Sequence, residues 1–290
     1  MYKAMEDILR EAKEHQLEFW EVVQMDDCKE RDISKEESFL QMKKMYEAMK
    51  HADEAYDKEL ISASTLCGQD GEKMKQAKEK GNLLCGDFIG TVMEKALKMG
   101  ESNACMKRIV AAPTAGSCGV LPAVLLALQE KEGISEEEIV KALYVAAGIG
   151  GVIASRAFLA GASGGCQAEI GSASAMAAGA VTYLKKGTPE QISDSSALAL
   201  KGLLGLACDP VAGLVEVPCV KRNVIGAVNA LTSSDMACAG IESKIPADEV
   251  FDAMKSIGRS LPTAIKETGE GGLAATPTGL KYKETLEQDF

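Results

Sequence analysis

The sequence predicts an all-α fold. Three observations carry that reading. Apolar residues recur at helical spacing, as in Met42, Met45, Tyr46 and Met49. Helix-start and helix-stop residues punctuate the chain, among them Ser135-Glu-Glu-Glu138, Lys185-Lys186-Gly187 and Thr188-Pro189-Glu190-Gln191. There is no convincing alternation of period two and no Asn-Gly hairpin turn.

Taken in order, residues 1 to about 60 are rich in Glu, Lys and Met and predict helices with a wet face, on which His15 and His51 face solvent. A polar helix is expected over 71–80, broken by Gly81-Asn82, and an apolar one over about 84–98 with Gly100 as its stop. From Ile109 to about Ala239 the chain turns rich in Ala and Gly and poor in charge. Val120 to Gln129 reads as a buried helix. Ser135 should open another that runs to about Ala147 and breaks or kinks at Gly148 to Gly151. Cys166 to Lys186 reads as a small-residue helix closed by two cations and a glycine. Thr188-Pro189 should start a helix ending near Ala207. Further helices are expected over about 224–239 and from Pro246 to about Ser260, and the Gly- and Thr-rich tail should pack against the rest. A boundary near residue 105 is conceivable, but one domain over 1–290 is expected, its first 60 or so residues charged and helical.

Composition narrows the function. With a net charge of −11, the chain lacks the basic patches that nucleic acid and anionic membranes demand. No run reads as a membrane span, because Arg156 and glycines interrupt the longest candidate, and the N-terminus lacks the apolar core of a signal peptide. Nine scattered cysteines fit a reducing cytoplasm, with metal ligation or plain burial in place of disulfides.

The stretch from Gly161 to Asn223 holds the best set of cysteines. Cys166 follows a glycine-rich turn, Cys208 opens Cys-Asp-Pro210, and Cys219 follows Pro218. Thiolates on loops at helix ends suit an iron–sulfur cluster or a zinc ion, since loop backbone can wrap a metal and offer N–H groups to sulfur. No CxxC pair exists, which argues against an ordinary structural zinc site. Cys28, Cys67, Cys85, Cys105 and Cys238 lie in or beside expected helices and read as small buried hydrophobes, with Cys118 intermediate. The loop Thr114-Ala115-Gly116-Ser117 feeds a helix N-terminus and could bind an anion there, as could Ser163-Gly164-Gly165; a plain N-cap and tight turn would use the same residues.

Together these motifs resemble the iron–sulfur-dependent L-serine dehydratases, specifically the α subunit of the two-subunit form. The resemblance rests on Pro113-Thr-Ala-Gly-Ser117 with Gly119 and Pro122, Gly161-Ala-Ser-Gly-Gly-Cys166-Gln-Ala-Glu-Ile-Gly171, and Cys208-Asp-Pro-Val-Ala-Gly-Leu-Val-Glu-Val-Pro-Cys219. Gly271-Gly-Leu-Ala and Thr276-Pro-Thr-Gly279 extend it into the tail. It implies a [4Fe–4S] cluster on Cys166, Cys208 and Cys219, with one iron open as a Lewis acid. It also implies conversion of L-serine to pyruvate and ammonia without pyridoxal phosphate, and an oligomeric assembly with a separate β subunit. The carboxylate of serine would rest on Thr114 to Ser117 and on Ser163 to Gly165. Ser163 would position substrate or relay a proton, and Lys221, two residues past Cys219, would serve as base or electrostatic aid unless it is a surface lysine. No cysteine follows Cys238, so a cysteine tail on the open iron is not expected. Two alternatives stay open: a related cluster-dependent lyase acting on cysteine or threonine, and a cluster or zinc site used for structure or redox sensing. An anion-binding loop beside the cysteines discriminates against the second.

Overall fold

A computed structural model describes residues 2–289. Among them are thirteen α-helices and no strand, as the sequence predicts. The first three helices are α1 (Met5–His15), α2 (Phe19–Arg31) and α3 (Lys35–Glu54). Glu18 and Glu21 form a reciprocal capping box ahead of α2, and Ser34 caps α3 by accepting from the Glu37 N–H. His15 and His51 are both exposed. Next come α4 (Asp70–Glu79), α5 (Gly86–Ala104), α6 (Val120–Glu132) and α7 (Glu136–Arg156). The short α8 (Gly161–Gly164) precedes a π-helical turn over Gln167–Gly171, which feeds α9 (Ser172–Leu184). The chain continues through α10 (Pro189–Lys201), α11 (Cys219–Cys238), α12 (Ala247–Ser260) and α13 (Pro277–Asp289).

The core forms around α9, whose thirteen residues are all buried. Helices α6, α7, α10 and α11 pack on it. Its Ala, Ser and Gly residues let those neighbours approach, and their hydroxyls are used: Ser174 Oγ donates to the Gly226 carbonyl at 2.8 Å, and Thr182 Oγ1 to the Ala178 carbonyl at 2.9 Å. One hydrophobic cluster runs from Met5 on α1 to Met254 on α12.

Two expected breaks are absent, for one physical reason. Gly100 does not stop α5; a Cβ there would sit 3.2 Å from Val220 Cα, so the glycine lets α11 press onto α5. Likewise α7 runs unbroken through Gly148 to Gly151. A Cβ on Gly148 would meet Val23 Cγ2 at 2.5 Å, which makes this the contact point with α2. Glycine inside a helix reads locally as a breaker, but tertiary packing overrides the local cost of about 1 kcal/mol. Unbroken, α7 is also long and apolar enough to cross a membrane by length and composition, although most of its apolar window (72%) is buried inside the fold.

Other boundaries shift. The helix opened by the capping box of Thr188 and Gln191 ends at Lys201, six residues early, and turns carry the chain to Cys208. Helix α11 begins at Cys219 itself, five residues before the expected start, and α13 replaces the end of the expected loop tail. Of the cysteines read as small buried hydrophobes, Cys67 is buried, Cys28 and Cys105 are half-buried, and Cys85 and Cys238 are exposed.

Candidate functional site

Three segments of the polar loops converge. Cys166 follows Gly165, whose φ of +79° turns the chain out of α8. Cys208 lies in the turn between α10 and a 3₁₀ turn at Val211–Gly213, and Cys219 is the first residue of α11. All three are buried, at 2%, 2% and 8% exposure. Their thiols lie close enough to act on one another. Burial, first, and then Cys166 raise both the Cys208 and the Cys219 thiol, the latter to about 12; burial pushes Cys166 to about 11 against the pull of Arg222. Cys118 does not belong to this group: it is a core residue whose Sγ reaches the Met99 carbonyl at 3.6 Å.

Beside the thiols sits a carboxylate to which the sequence alone assigns no role. Glu169 Oε2 is 4.0 Å from Cys208 Sγ, and Glu169 Oε1 accepts from Thr114 Oγ1 at 2.8 Å. Burial, the larger influence, lifts this carboxyl above the ordinary range against the Thr114 hydrogen bond. Glu169 is the one acidic residue in the stretch from Gly161 to Gly171, the signal by which it could have been found. Gly161 closes the gap beneath it, since a Cβ there would lie 2.7 Å from both Cys208 Sγ and Glu169 Oε2.

The loop at 114–117 leaves part of its backbone open. Its Ser117 N–H turns inward to the Thr114 carbonyl at 3.3 Å, while among the described residues no acceptor takes the N–H of Ala115 or Gly116. Asn223 fixes this loop to α11. Its Nδ2 donates to the Gly116 carbonyl at 2.8 Å and the Cys219 carbonyl at 3.0 Å, and its Oδ1 accepts from Gly119 N–H at 2.8 Å. Fully buried, Asn223 spends its hydrogen-bonding capacity on joining the loop to the Cys219 turn.

Two other expectations are corrected. The turn 163–165 is not a free cradle: the N–H groups of Ser163 and Gly164 both bond the Ala160 carbonyl, and that of Gly165 bonds Gly161. Ser163 itself is exposed. Lys221 is turned away from Cys219, because two residues are about 200° around a helix. It is half exposed and pairs with Asp70 on α4 at 2.6 Å.

Among the described residues no three His, Cys, Asp or Glu side chains stand close enough to hold a single metal ion. The donor set nonetheless fits a larger cationic group. Three thiolates and a carboxylate in a dry interior would repel one another, and burial already favours each thiol in its neutral form. A bound metal centre reverses that balance and deprotonates coordinating thiols outright. A four-iron cluster also holds its thiolates further apart than one ion does.

The family model described as serine dehydratase alpha chain matches residues 14–274. The chain is 44% identical over 286 residues to the probable L-serine dehydratase, alpha chain, of Bacillus subtilis (strain 168), covering 99% of this chain and 95% of that protein. It is 55% identical over 197 residues to the protein of the same description from Latilactobacillus sakei, covering 68% and 94%. Against the L-serine dehydratase, alpha chain, of Peptoniphilus asaccharolyticus it is 48% identical over 203 residues, covering 70% of each. These matches, over almost the whole chain, show that the chain belongs to the serine dehydratase alpha chain family.

Proposed function

We propose that this chain is the α subunit of an L-serine dehydratase, a lyase that converts L-serine to pyruvate and ammonia in the reducing cytoplasm, assembled with a separate β chain. Cys166, Cys208 and Cys219 would hold a [4Fe–4S] cluster, which supplies a Lewis acid for the serine hydroxyl when bound. The observation that carries this reading is the meeting of three buried thiols with a half-buried carboxyl and a loop that leaves two backbone N–H groups without an acceptor.

Each part has work in that reaction. The N–H groups of Ala115 and Gly116 and the hydroxyls of Thr114 and Ser117 bind the substrate carboxylate and partly neutralise it, which acidifies the α-proton. Glu169 is the group of this chain placed to hold or move a proton, at Oε2. Asn223 holds the loop and the Cys219 turn in register. A cluster used only for structure or sensing has no use for an anion cradle, which favours turnover over that alternative. The test is pyruvate formation from L-serine without oxygen, with the β partner present and with cysteine and threonine as competing substrates. Turnover preferring serine supports the assignment; a cluster-bearing complex inert to all three overturns it.

A further inference from the structure

Three side-chain and backbone contacts behind the cysteines converge on one guanidinium. Arg222, on the first turn of α11, is mostly buried. Its Nη1 donates to the Ala207 carbonyl at 2.7 Å and its Nη2 to Asp209 Oδ1 at 2.8 Å, so it brackets Cys208 from both sides. The same guanidinium lies near enough to the Cys166 thiol to act on it. Three residues before it on the same turn is Cys219. One planar cation therefore spans the segments that carry all three cysteines, a task its fixed fork of donors suits and a lysine's point charge does not.

Asp209, in turn, is held by the tail. Its Oδ2 accepts from the Leu273 N–H at 2.9 Å, and Gly272, at φ +59°, passes so near that a Cβ would lie 2.4 Å from that oxygen. The tail grips Cys208 directly as well: Cys208 N–H donates to the Ile265 carbonyl at 2.9 Å, and Glu267 N–H to the Cys208 carbonyl at 2.8 Å. Segment 263–275 thus lies across the Cys208 turn as a strap, fastened at both ends.

We propose that Arg222 is a positioning residue for the three cysteines, and that the strap over residues 263–275, fastened through Asp209, holds Arg222 in its working orientation. The Arg222–Asp209 pair is buried, so removing either partner leaves the other charge uncompensated and free to disturb the thiols. Strap and cysteines are then coupled: what loosens the tail loosens the site. As a statement about cluster retention, this rests on the function proposed above.

The experiment compares wild type with Arg222→Lys, Arg222→Gln and Gly272→Ala, the last altering the strap without touching a cysteine or Arg222. All are purified without oxygen and checked for helical content. Two readouts are taken: the rate of iron release to a ferrous chelator from the loaded protein, and amide hydrogen exchange at Glu267 and Leu273 in the metal-free chain. Arg222→Gln is expected to release iron faster by on the order of 10- to 100-fold. Arg222→Lys should restore only part of the loss, and Gly272→Ala should shift in the same direction. Exchange at Glu267 and Leu273 should quicken in Arg222→Gln and Gly272→Ala. Wild-type release from a fully loaded Arg222→Gln overturns the positioning role and leaves the proposed function intact. A wild type that takes up no iron removes the function reading; the strap then stands if exchange quickens in the metal-free variants and falls if it does not.

Discussion

Thr114 Oγ1 donates to Glu169 Oε1 at 2.8 Å, so the loop proposed to hold a substrate carboxylate already holds one belonging to the chain. Gly116 faces the same carboxylate, where a Cβ would press on Oε1 at 3.2 Å. On the function proposed, a substrate carboxylate arriving at Ala115 and Gly116 would share or take over the Thr114 hydroxyl and so leave Glu169 free to act on the α-proton.

Glu169→Gln keeps the shape and the Thr114 contact while removing the proton acceptor. Turnover of serine should fall by on the order of 10²- to 10⁴-fold, the usual worth of a general base, with iron content unchanged. Near-normal kcat in a loaded Glu169→Gln protein would sink the assignment.

Lys221 gives the opposite expectation. Its ion pair with Asp70 lies half exposed on the α4 side of α11. Lys221→Ala should keep kcat and KM and lose about 0–1 kcal/mol of stability, as exposed pairs do. A large drop in kcat with the cluster retained would return Lys221 to the site.

Acid stability should carry the mark of Glu138. Lys141, foremost, and Lys186 hold its carboxyl below the ordinary value of 4.5 against burial. A depressed folded-state pKa means that the stabilisation is complete above 4.5 and is lost as pH falls through the lower folded value. Between those two values, wild type should lose more stability on acidification than Glu138→Gln, as read from urea unfolding midpoints. Parallel acid profiles for the two would contradict this.

Gly148→Ala tests why α7 does not break. In an exposed helix the change would stabilise by about 1 kcal/mol. Here the new methyl meets Val23 at 2.5 Å, and overpacking costs about 1–3 kcal/mol. The variant should therefore unfold at lower denaturant than wild type; a stabilised protein would show that α2 simply gives way.

Much of this was legible in the sequence, because the signals were local. The Thr188–Gln191 capping box and the Ser135 cap each report on a few neighbouring residues, and the structure places helix starts at them. What was not legible depends on partners far along the chain. Gly100 reads as a stop until Val220 is seen against it, and Ser163 to Gly165 read as open donors until their bonds to Ala160 and Gly161 are seen. Lys221 and Arg222 are neighbours in sequence, yet helical geometry turns the first to Asp70 and the second to Asp209 and Cys166. Asn223 and Glu169 owe their roles to the loop at 114–117, more than fifty residues away.

The central claim is that Cys166, Cys208 and Cys219 together hold an iron–sulfur cluster. The most direct measurement is iron and sulfide content, with a visible spectrum, on chain purified without oxygen. The account predicts about four irons and matching sulfide per chain, with colour that bleaches in air. It predicts that Cys166→Ala, Cys208→Ala and Cys219→Ala each lose both, while Cys238→Ala, altered at an exposed position, keeps them. Stoichiometric zinc, no metal at all, or full iron in any of the first three variants would contradict it.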